Sequence, residues 1–316
     1  MTSYLLRRLL WTIPVLWVAA TLVWFFMFLI PGDPARILAG QNADEQVLRL
    51  VRAEWGLNQP ATTRYVKYLW KLAQLDLGFS YEQHRPVLTI LLEGFVKTAI
   101  LSLAAMILAL PLGIGLGLLS AARPGGAGDL GSRLLSTASI SMPTFWLGLT
   151  LMLVFGVRLG WLPISGYGDS GTVLGVGLPG AANLALPALT LAIFSSGLLA
   201  RVTRATLLEE SSQEYARAAR ARGASAGRTL SRHVLANALL PILTVAGLNF
   251  GTLLGGAVAT ETIFAWPGLG RVIVRGLTNR DLPVVEGGAM LLTAAFLLVT
   301  LVTDLCCAAA DPRTRD

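Results

Sequence analysis

The stretch EYARAARARG at residues 214–223 is a polar interruption between two long apolar blocks, residues 184–200 and 234–260. Alanine and arginine are strong helix formers, an acidic residue suits a first turn, and a glycine can end a helix with positive φ. The stretch therefore predicts a short helix from Glu214 to Gly223. Its four alanines leave it slim enough to enter a groove on another protein, where its arginines could meet acids. A solvated helix lying on anionic lipid is the alternative.

The composition of the whole chain is that of a membrane protein. Of its 316 residues, 54% are hydrophobic and only 14% are charged, whereas about a quarter are charged in soluble domains. The net charge of +7 does not indicate a nucleic-acid partner. The arginines cluster between apolar blocks instead of forming a basic face interleaved with aromatic residues. Membrane lipid is therefore the expected surrounding.

Six apolar blocks predict an all-α membrane protein with six transmembrane helices. The blocks are residues 9–30, 98–121, 134–157, 184–200, 234–260 and 287–303. The first block has 22 uncharged residues, which is longer than a signal-peptide core, so we interpret it as a retained helix. Five blocks carry a proline inside or near one end, and each proline can kink its helix: Pro14, Pro111, Pro143, Pro187 and Pro241.

Arginines in the connecting segments predict the orientation in the membrane. Residues 201–232 hold seven arginines against three acids, on the same side as Arg7, Arg8, Arg123 and Arg133. The positive-inside rule makes this side cytoplasmic. Both termini are then cytoplasmic, and residues 31–97 lie outside.

The outer segment is predicted to contain two short amphipathic helices. Asp44 can cap the first, in which Val47, Leu48, Val51 and Trp55 share a face. Pro60 can open the second, in which Tyr65, Tyr68, Leu69 and Leu72 share a face. These helices would form a small cap beside the mouth of the pathway. Two helices that merely lie on lipid are the alternative.

The apolar blocks lack ionisable residues, which argues against several kinds of membrane protein. None of the six contains Asp, Glu, Lys, Arg or His away from its ends. An ion-coupled carrier normally has such a group or a broken-helix ion site near the midplane, and a hydrolase needs a nucleophile with a base. The cysteines, Cys306 and Cys307, and the two histidines have no metal-ligand spacing. Energy for pumping must therefore enter elsewhere, although a passive channel is still allowed.

Two sets of glycines recur at helical spacing within the apolar blocks. Gly113 and Gly117 are four residues apart, as are Gly247, Gly251 and Gly255. Small residues at this spacing let two helix backbones approach closely. We expect these positions to be helix-packing contacts.

The stretch 214–223, continued by RH at 232–233 and NALLP at 237–241, resembles the "EAA" loop of ABC importer permeases. The similarity is to the dipeptide, oligopeptide and nickel branch. Further agreeing stretches are RRLL (7–10), IP (13–14), PGDP (31–34), PTFWLG (143–148), GWLP (160–163), ETIF (261–264), PGLGR (267–271) and RD (280–281). The outer stretches DLGFS (76–80) and PV (86–87) resemble the "B" member of paired permeases. Tyr215 replaces a small residue of the generic loop, and Leu75 stands where glycine is usual.

This resemblance implies a type I ABC importer permease fold and a set of partners. The partners are a second homologous permease, two ATPase subunits or domains, and an extracytoplasmic substrate-binding protein. The chain itself would bind no cofactor, because it lacks a Walker-type loop and ATP with magnesium belongs to the ATPases. The residues implied to contact the ATPase are Glu214, Tyr215, Ala216, Arg217, Ala218, Ala219, Arg220, Arg222 and Gly223.

The resemblance also implies a peptide importer in the bacterial inner membrane, with nickel, haem or another small ligand as alternative cargo. The expected divisions are residues 1–97, the transmembrane domain 98–308 with its coupling loop 201–233, and a cytoplasmic tail 309–316. Candidate pathway or outer-gate residues are Asn249, Glu261, Arg271, Arg280 and Asp281. We expect Glu261 to hold an outer loop through Arg271 or Arg280, with contact to a peptide amino group as the rival. Asn249 is expected to make an interhelical hydrogen bond.

Overall fold

The computed structural model describes residues 2–29, 44–54, 58–168, 170–173 and 176–310, most of which are helical. The helices are α1 (Thr2–Leu29), α2 (Glu45–Glu54), α3 (Ala61–Ala73), α4 (Val87–Ala122), α5 (Ala127–Ser141), α6 (Thr144–Leu151), α7 (Ala181–Ser211), α8 (Glu214–Ala221), α9 (Ala226–Arg228), α10 (Leu235–Gly256), α11 (Val258–Ile263), α12 (Leu269–Thr278) and α13 (Leu282–Ala310). The π-helical segments Met152–Arg158 and Thr229–Val234 follow α6 and α9. Strands β1 (Thr172–Val173) and β2 (Val176–Gly177) pair antiparallel.

The chain divides into two compact units. The first unit contains Met1–Phe95 and Arg271–Ala294, and the second contains Val96–Gly270 and Ala295–Asp316. Two long helices, α4 and α13, run from one unit into the other. Residues 271–294, which include most of α12 and the start of α13, group with the N-terminal residues. The expected divisions at 97 and 308 stay predictions.

Four helical stretches of the described chain are long and apolar enough to cross a membrane: Val87–Ala122, Ala181–Ser211, Ala226–Gly256 and Leu282–Ala309. A bent pair, Ala127–Ser141 with Thr144–Arg158, would make a fifth span, and Leu10–Phe26 is a shorter apolar helix. The fold is thus an all-α, multi-pass membrane fold. The count of six spans stays a prediction.

The predicted third helix, residues 134–157, is not continuous. Its two halves meet at Pro143 with a bend of 103°. Met142 has φ −77° and ψ 129°, an extended conformation, because the ring of a following proline disfavours the α-helical region. The other four prolines named above lie inside α1, α4, α7 and α10 without ending them.

Helix α7 extends 11 residues beyond the predicted block end at Ala200, to Ser211. Residues 201–211 contain neither glycine nor proline, so nothing local stops the helix where the apolar block ends. The predicted loop 201–233 is therefore helical at its start. Hydropathy marks the end of the apolar block, whereas the helix continues into polar sequence.

Close helix packing in the second unit uses most of the predicted glycines. A Cβ added at Gly113 or Gly117 would lie 2.5 Å from the Cβ of Leu199 or Thr203 on α7. A Cβ at Gly247 would collide with Thr303, and one at Gly251 would lie 3.0 Å from the Phe296 ring. Side chains at these four positions would force the helices apart. Gly255 differs, because a Cβ there would have no neighbour within 4 Å.

The first unit contains both predicted outer helices, α2 and α3. The α3 face of Tyr65, Tyr68, Leu69 and Leu72 is half-buried, and the Tyr65 hydroxyl lies 2.7 Å from Thr21 Oγ1 of α1. On α2, Leu48 is buried but Val47 is exposed, so these two residues do not share a buried face. Trp55, the side chain of Val51 and residues 31–34 lie outside the described residues.

Candidate functional site

Helix α8 (Glu214–Ala221) is the short helix predicted between the two apolar blocks, and it ends at the glycine that was predicted to stop it. Gly223 has φ +88°, which glycine adopts without steric cost. The N–H of Gly223 donates to the carbonyl of Arg220 at 2.9 Å, and the N–H of Ala224 donates to that of Ala219 at 3.1 Å. These two bonds form a Schellman motif. The end of α8 is therefore fixed by residues within the stretch itself.

One face of α8 packs against its own chain. Ala216 is fully buried and Ala219 is nearly so. Ala216 belongs to a buried apolar cluster with Ala121 of α4, Leu207 of α7 and residues of α10, including Ala238 and Ile242. All four alanines were expected to keep α8 slim for a partner. Two of them, Ala216 and Ala219, are instead buried against this chain, where their small side chains let α8 lie close to α4, α7 and α10.

The opposite face of α8 is exposed and charged. Its exposed residues are Glu214, Arg217, Ala218, Arg220, Ala221 and Arg222, with Gly223 after them. Arg220 donates to the carbonyl of Ser211 at 3.1 Å, and Arg222 donates to that of Ala218 at 3.2 Å. The side chains of Glu214 and Arg217 have no hydrogen bond or ion pair within the described residues. This face can therefore pair with charges on another protein.

Tyr215 fastens α8 to the end of α7. Its hydroxyl donates to Glu210 Oε2 at 2.6 Å. Burial raises the pKa of the Tyr215 hydroxyl, and its hydrogen bond to Glu210 raises that pKa further. Tyr215, which departs from the generic loop, thus makes a contact that the usual small residue could not make, because a small side chain could not reach Glu210.

A partly buried ion pair that the sequence analysis did not predict joins α5 to α7. Arg204 on α7 donates from Nε and Nη2 to the two carboxylate oxygens of Asp129, at 2.8 and 3.1 Å. The Ser120 hydroxyl and the Gly125 N–H also donate to this carboxylate, at 2.5 and 2.9 Å. The pair ties the end of α4 and the start of α5 to α7. A usable signal was that Asp129 is the lone acid between Arg123 and Arg133.

Glu261 is fully buried beneath a turn of the second unit. Thr98 Oγ1 donates to Glu261 Oε1 at 2.5 Å and accepts from the N–H of Leu269 at 2.8 Å. The N–H of Trp266 donates to the Glu261 carbonyl at 2.8 Å. Gly268 lies so close to the carboxylate that a Cβ there would collide with Oε1. This geometry favours the loop-holding role of Glu261, and its pairing with Arg271 or Arg280 stays a prediction.

Asn249 lies buried on α10, but its expected interhelical bond is not formed from Nδ2. That atom has no hydrogen-bond partner within the described part of the chain. Thr252 Oγ1 donates to the backbone carbonyl of Asn249 at 2.7 Å and lies 3.4 Å from the side-chain Oδ1. A role for Asn249 in the pathway stays a prediction.

Asp281 anchors a loop of the first unit. Its carboxylate accepts from Ser80 Oγ at 2.5 Å and from the N–H groups of Tyr81 and Glu82 at 3.2 and 3.4 Å. Arg280 beside it is exposed and has φ +57°, so it forms the turn between α12 and α13. Both residues therefore shape the loop joining these helices.

The same unit carries an exposed ion pair between Glu82 and Arg275, with Nε 2.8 Å from Oε1. Hydrogen bonds from Asn279 and from Arg275 hold the pKa of the Glu82 carboxyl below its usual range. The pair therefore adds a second link between this loop and α12.

A cavity of about 180 Å³ in the first unit is lined by Tyr68, Lys71, Asp76, Tyr81 and Glu286, among others. Burial raises the pKa of both tyrosines, and the charge of Glu286 raises it further. Glu286 was missed because it lies one residue before the block 287–303. Helix α13 begins earlier, at Leu282, and so includes this carboxylate in its second turn.

Two family profiles match the chain and together span nearly all of it. The profile described as "Binding-protein-dependent transport system inner membrane component" matches residues 113–316. The profile for the N-terminal part of such membrane components matches residues 1–104. The two matched ranges meet within α4, and the two compact units also divide within this helix.

Similar proteins extend along the whole chain. A peptide transport system permease protein of Brucella abortus (strain 2308) is 39% identical over 315 residues, covering 100% of this chain and 99% of that protein. A glutathione transport system permease protein of Escherichia coli O6:H1 is 38% identical over 315 residues, with the same coverage.

Among solved structures, the inward-facing MetNI methionine ABC transporter shares the fold. One crystal form aligns with a TM-score of 0.59 at 20% identity, covering 72% of this chain and 99% of that chain. A second form aligns with a TM-score of 0.55 at 19% identity and the same coverage. The architecture is therefore that of an ABC importer permease of type I. These matches and the apolar helices establish that the chain is a multi-pass permease, and that it belongs to the binding-protein-dependent transport system inner membrane component family of ABC importers.

Proposed function

We propose that this chain imports peptides as one of two related permeases that enclose a pathway, driven by ATPase subunits docked on α8. The observation that carries the proposal is the two-sided character of α8. One face is packed on the transmembrane helices, and the other presents unpaired charge. A helix built in this way can receive force from a partner and pass it to the helices beneath.

The substrate class rests on the relatives. The two described above are named for peptide and for glutathione transport. Glutathione is itself a tripeptide, so both names point to short peptides as cargo. A substrate-binding protein on the outer side would deliver the peptide and would set most of the selectivity.

Membership of the family supports a division of labour between this chain and its partners. This chain supplies the passage, while ATP and magnesium are bound by the partner ATPases. The arginine distribution supports an orientation with α8 and both termini in the cytoplasm of a bacterial cell and α2 and α3 outside. The exposed arginines of α8 would then meet acidic side chains that line a groove of the ATPase.

Coupling would proceed by displacement of α8 as a rigid body. The buried cluster under Ala216 draws residues from α4, α7 and α10, and close-packed contacts transmit displacement instead of absorbing it. Tyr215 adds a polar link to α7. ATP binding and a loaded receptor would each favour the outward-open state, and so would shift the population between two states.

Charge reversal on the exposed face of α8 tests this proposal. In a purified complex reconstituted into vesicles, Arg217→Glu should lower peptide uptake at least tenfold, because acids in the partner would meet a like charge. Arg158→Glu is a matched control, since Arg158 is also exposed but is predicted to lie outside. Uptake at the wild-type rate in Arg217→Glu, with the complex intact, would refute the docking assignment.

A further inference from the structure

A second cavity, of about 200 Å³, opens between α4, α5 and α7 of the second unit. Its polar lining consists of arginines and hydroxyl-bearing residues: Ser120, Ser132, Arg133, Ser136, Thr137, Arg201 and Arg204. No acidic residue lines it. Nothing in the transport mechanism above uses this cavity.

The side chains that line this cavity carry a net positive charge, even after the ion pair between Arg204 and Asp129 is taken into account. Arg204 is neutralised by Asp129, which is buried and is not among the lining residues. The guanidinium groups of Arg133 and Arg201 have no hydrogen bond or ion pair within the described residues. Two positive charges therefore line one small space without a counter-ion among the described residues.

The donors around the cavity suit the oxygens of a phosphate. Each guanidinium offers a planar fork of N–H groups that matches two oxygens of a phosphate, which favours arginine over lysine for this recognition. Arg204 adds Nη1, since only its Nε and Nη2 are bound to Asp129. The Ser120 hydroxyl is already committed to Asp129, so Ser132 and Thr137 would supply the hydroxyl contacts.

We propose that this cavity is a binding site for a phosphate group. Exposed leucines lie within two residues of its lining residues on the same helices, namely Leu119 on α4 with Leu130 and Leu134 on α5. Such neighbours are suited to acyl chains, and basic pockets between the cytoplasmic ends of spanning helices bind anionic head groups. The phosphate would therefore belong to an anionic phospholipid, with a soluble phosphate as the other source. The chemistry of the site does not depend on which substrate the permease carries.

Native mass spectrometry of the full chain tests the proposal. The wild-type protein in detergent should retain phosphatidylglycerol in preference to phosphatidylcholine. Arg133→Gln with Arg201→Gln should weaken this retention at least about tenfold, since each arginine near an anionic surface contributes about a factor of five. Both side chains are exposed, so the substitutions remove charge without opening the core.

Matched variants and probes make the outcome decisive. Arg158→Gln with Arg232→Gln removes the same charge elsewhere and should keep wild-type retention, whereas Arg133→Lys with Arg201→Lys should keep part of it. Competition by inorganic phosphate would support the site with a soluble ligand, and its failure would support a lipid. Equal retention by the Arg133→Gln/Arg201→Gln variant, or equal retention of phosphatidylcholine by the wild type, would overturn the proposal.

Discussion

The buried pair between Asp129 and Arg204 offers the sharpest quantitative prediction. In the Arg204→Ala variant, the Asp129 carboxylate would lose two of the four hydrogen bonds, and the one cation, that pair with it within the described part of the chain. Breaking a buried ion pair from one side costs about 3–5 kcal/mol. The Arg204 side chain is 28% exposed, so water can enter its place and screen the carboxylate, and we expect a loss below this range, of about 1–3 kcal/mol.

The free energy of unfolding in a lipid-free, non-ionic detergent would measure this loss. Arg201→Ala is the matched control, because Arg201 lies one turn earlier on α7 and has no ion pair there. It should stay within about 0.5 kcal/mol of the wild type. The combined Asp129→Ala/Arg204→Ala variant should be less destabilised than the sum of the single variants, by about 1–3 kcal/mol. Equal stability of Arg204→Ala and Arg201→Ala would refute the reasoning.

Three further predictions concern the helix ends and the helix packing. Gly223→Val should lower uptake while leaving membrane insertion intact, because φ +88° costs a β-branched residue about 1–2 kcal/mol; unchanged uptake per complex would contradict this. Tyr215→Phe should cost about 1–2 kcal/mol in thermal or denaturant unfolding, since it leaves the carboxylate acceptor at the end of α7 without its donor; a neutral effect would remove the proposed fastening. Gly247→Val should destabilise the chain by about 1–3 kcal/mol through collision with Thr303, whereas Gly255→Val should be tolerated; equal effects at the two glycines would contradict the packing described.

The local structure of α8 could be predicted because its signals are local. Alanine, arginine and the terminal glycine fix its start and end within ten residues. Which alanines face inward could not be predicted in this way. That depends on how α8 lies against α4, α7 and α10, which are distant in sequence.

The bend at Pro143 illustrates a second limit of sequence patterns. Five prolines were equal candidates for a kink, yet only Pro143 follows a residue with an extended backbone and separates two helices. At Pro14, Pro111, Pro187 and Pro241 the helix continues. A following proline disfavours the helical conformation without forbidding it, so the presence of a proline alone does not indicate which helix ends there.

Polar contacts between distant residues were the least predictable features. Asp129 and Arg204 are separated by 75 residues, and Thr98 and Glu261 by 163. Charge counting assigned Arg204 only to the orientation signal and did not find its partner. Glu286 was missed for a related reason, because an apolar block was taken as the whole extent of its helix.

The most direct test of the central claim is photo-crosslinking from α8 in the assembled complex. A photoreactive amino acid at Ala218, on the exposed face, should capture an ATPase subunit. The same group at Arg158, which is predicted to lie outside, should capture none. If Ala218 captures no ATPase in a complex that hydrolyses ATP and transports its substrate, α8 is not the coupling helix.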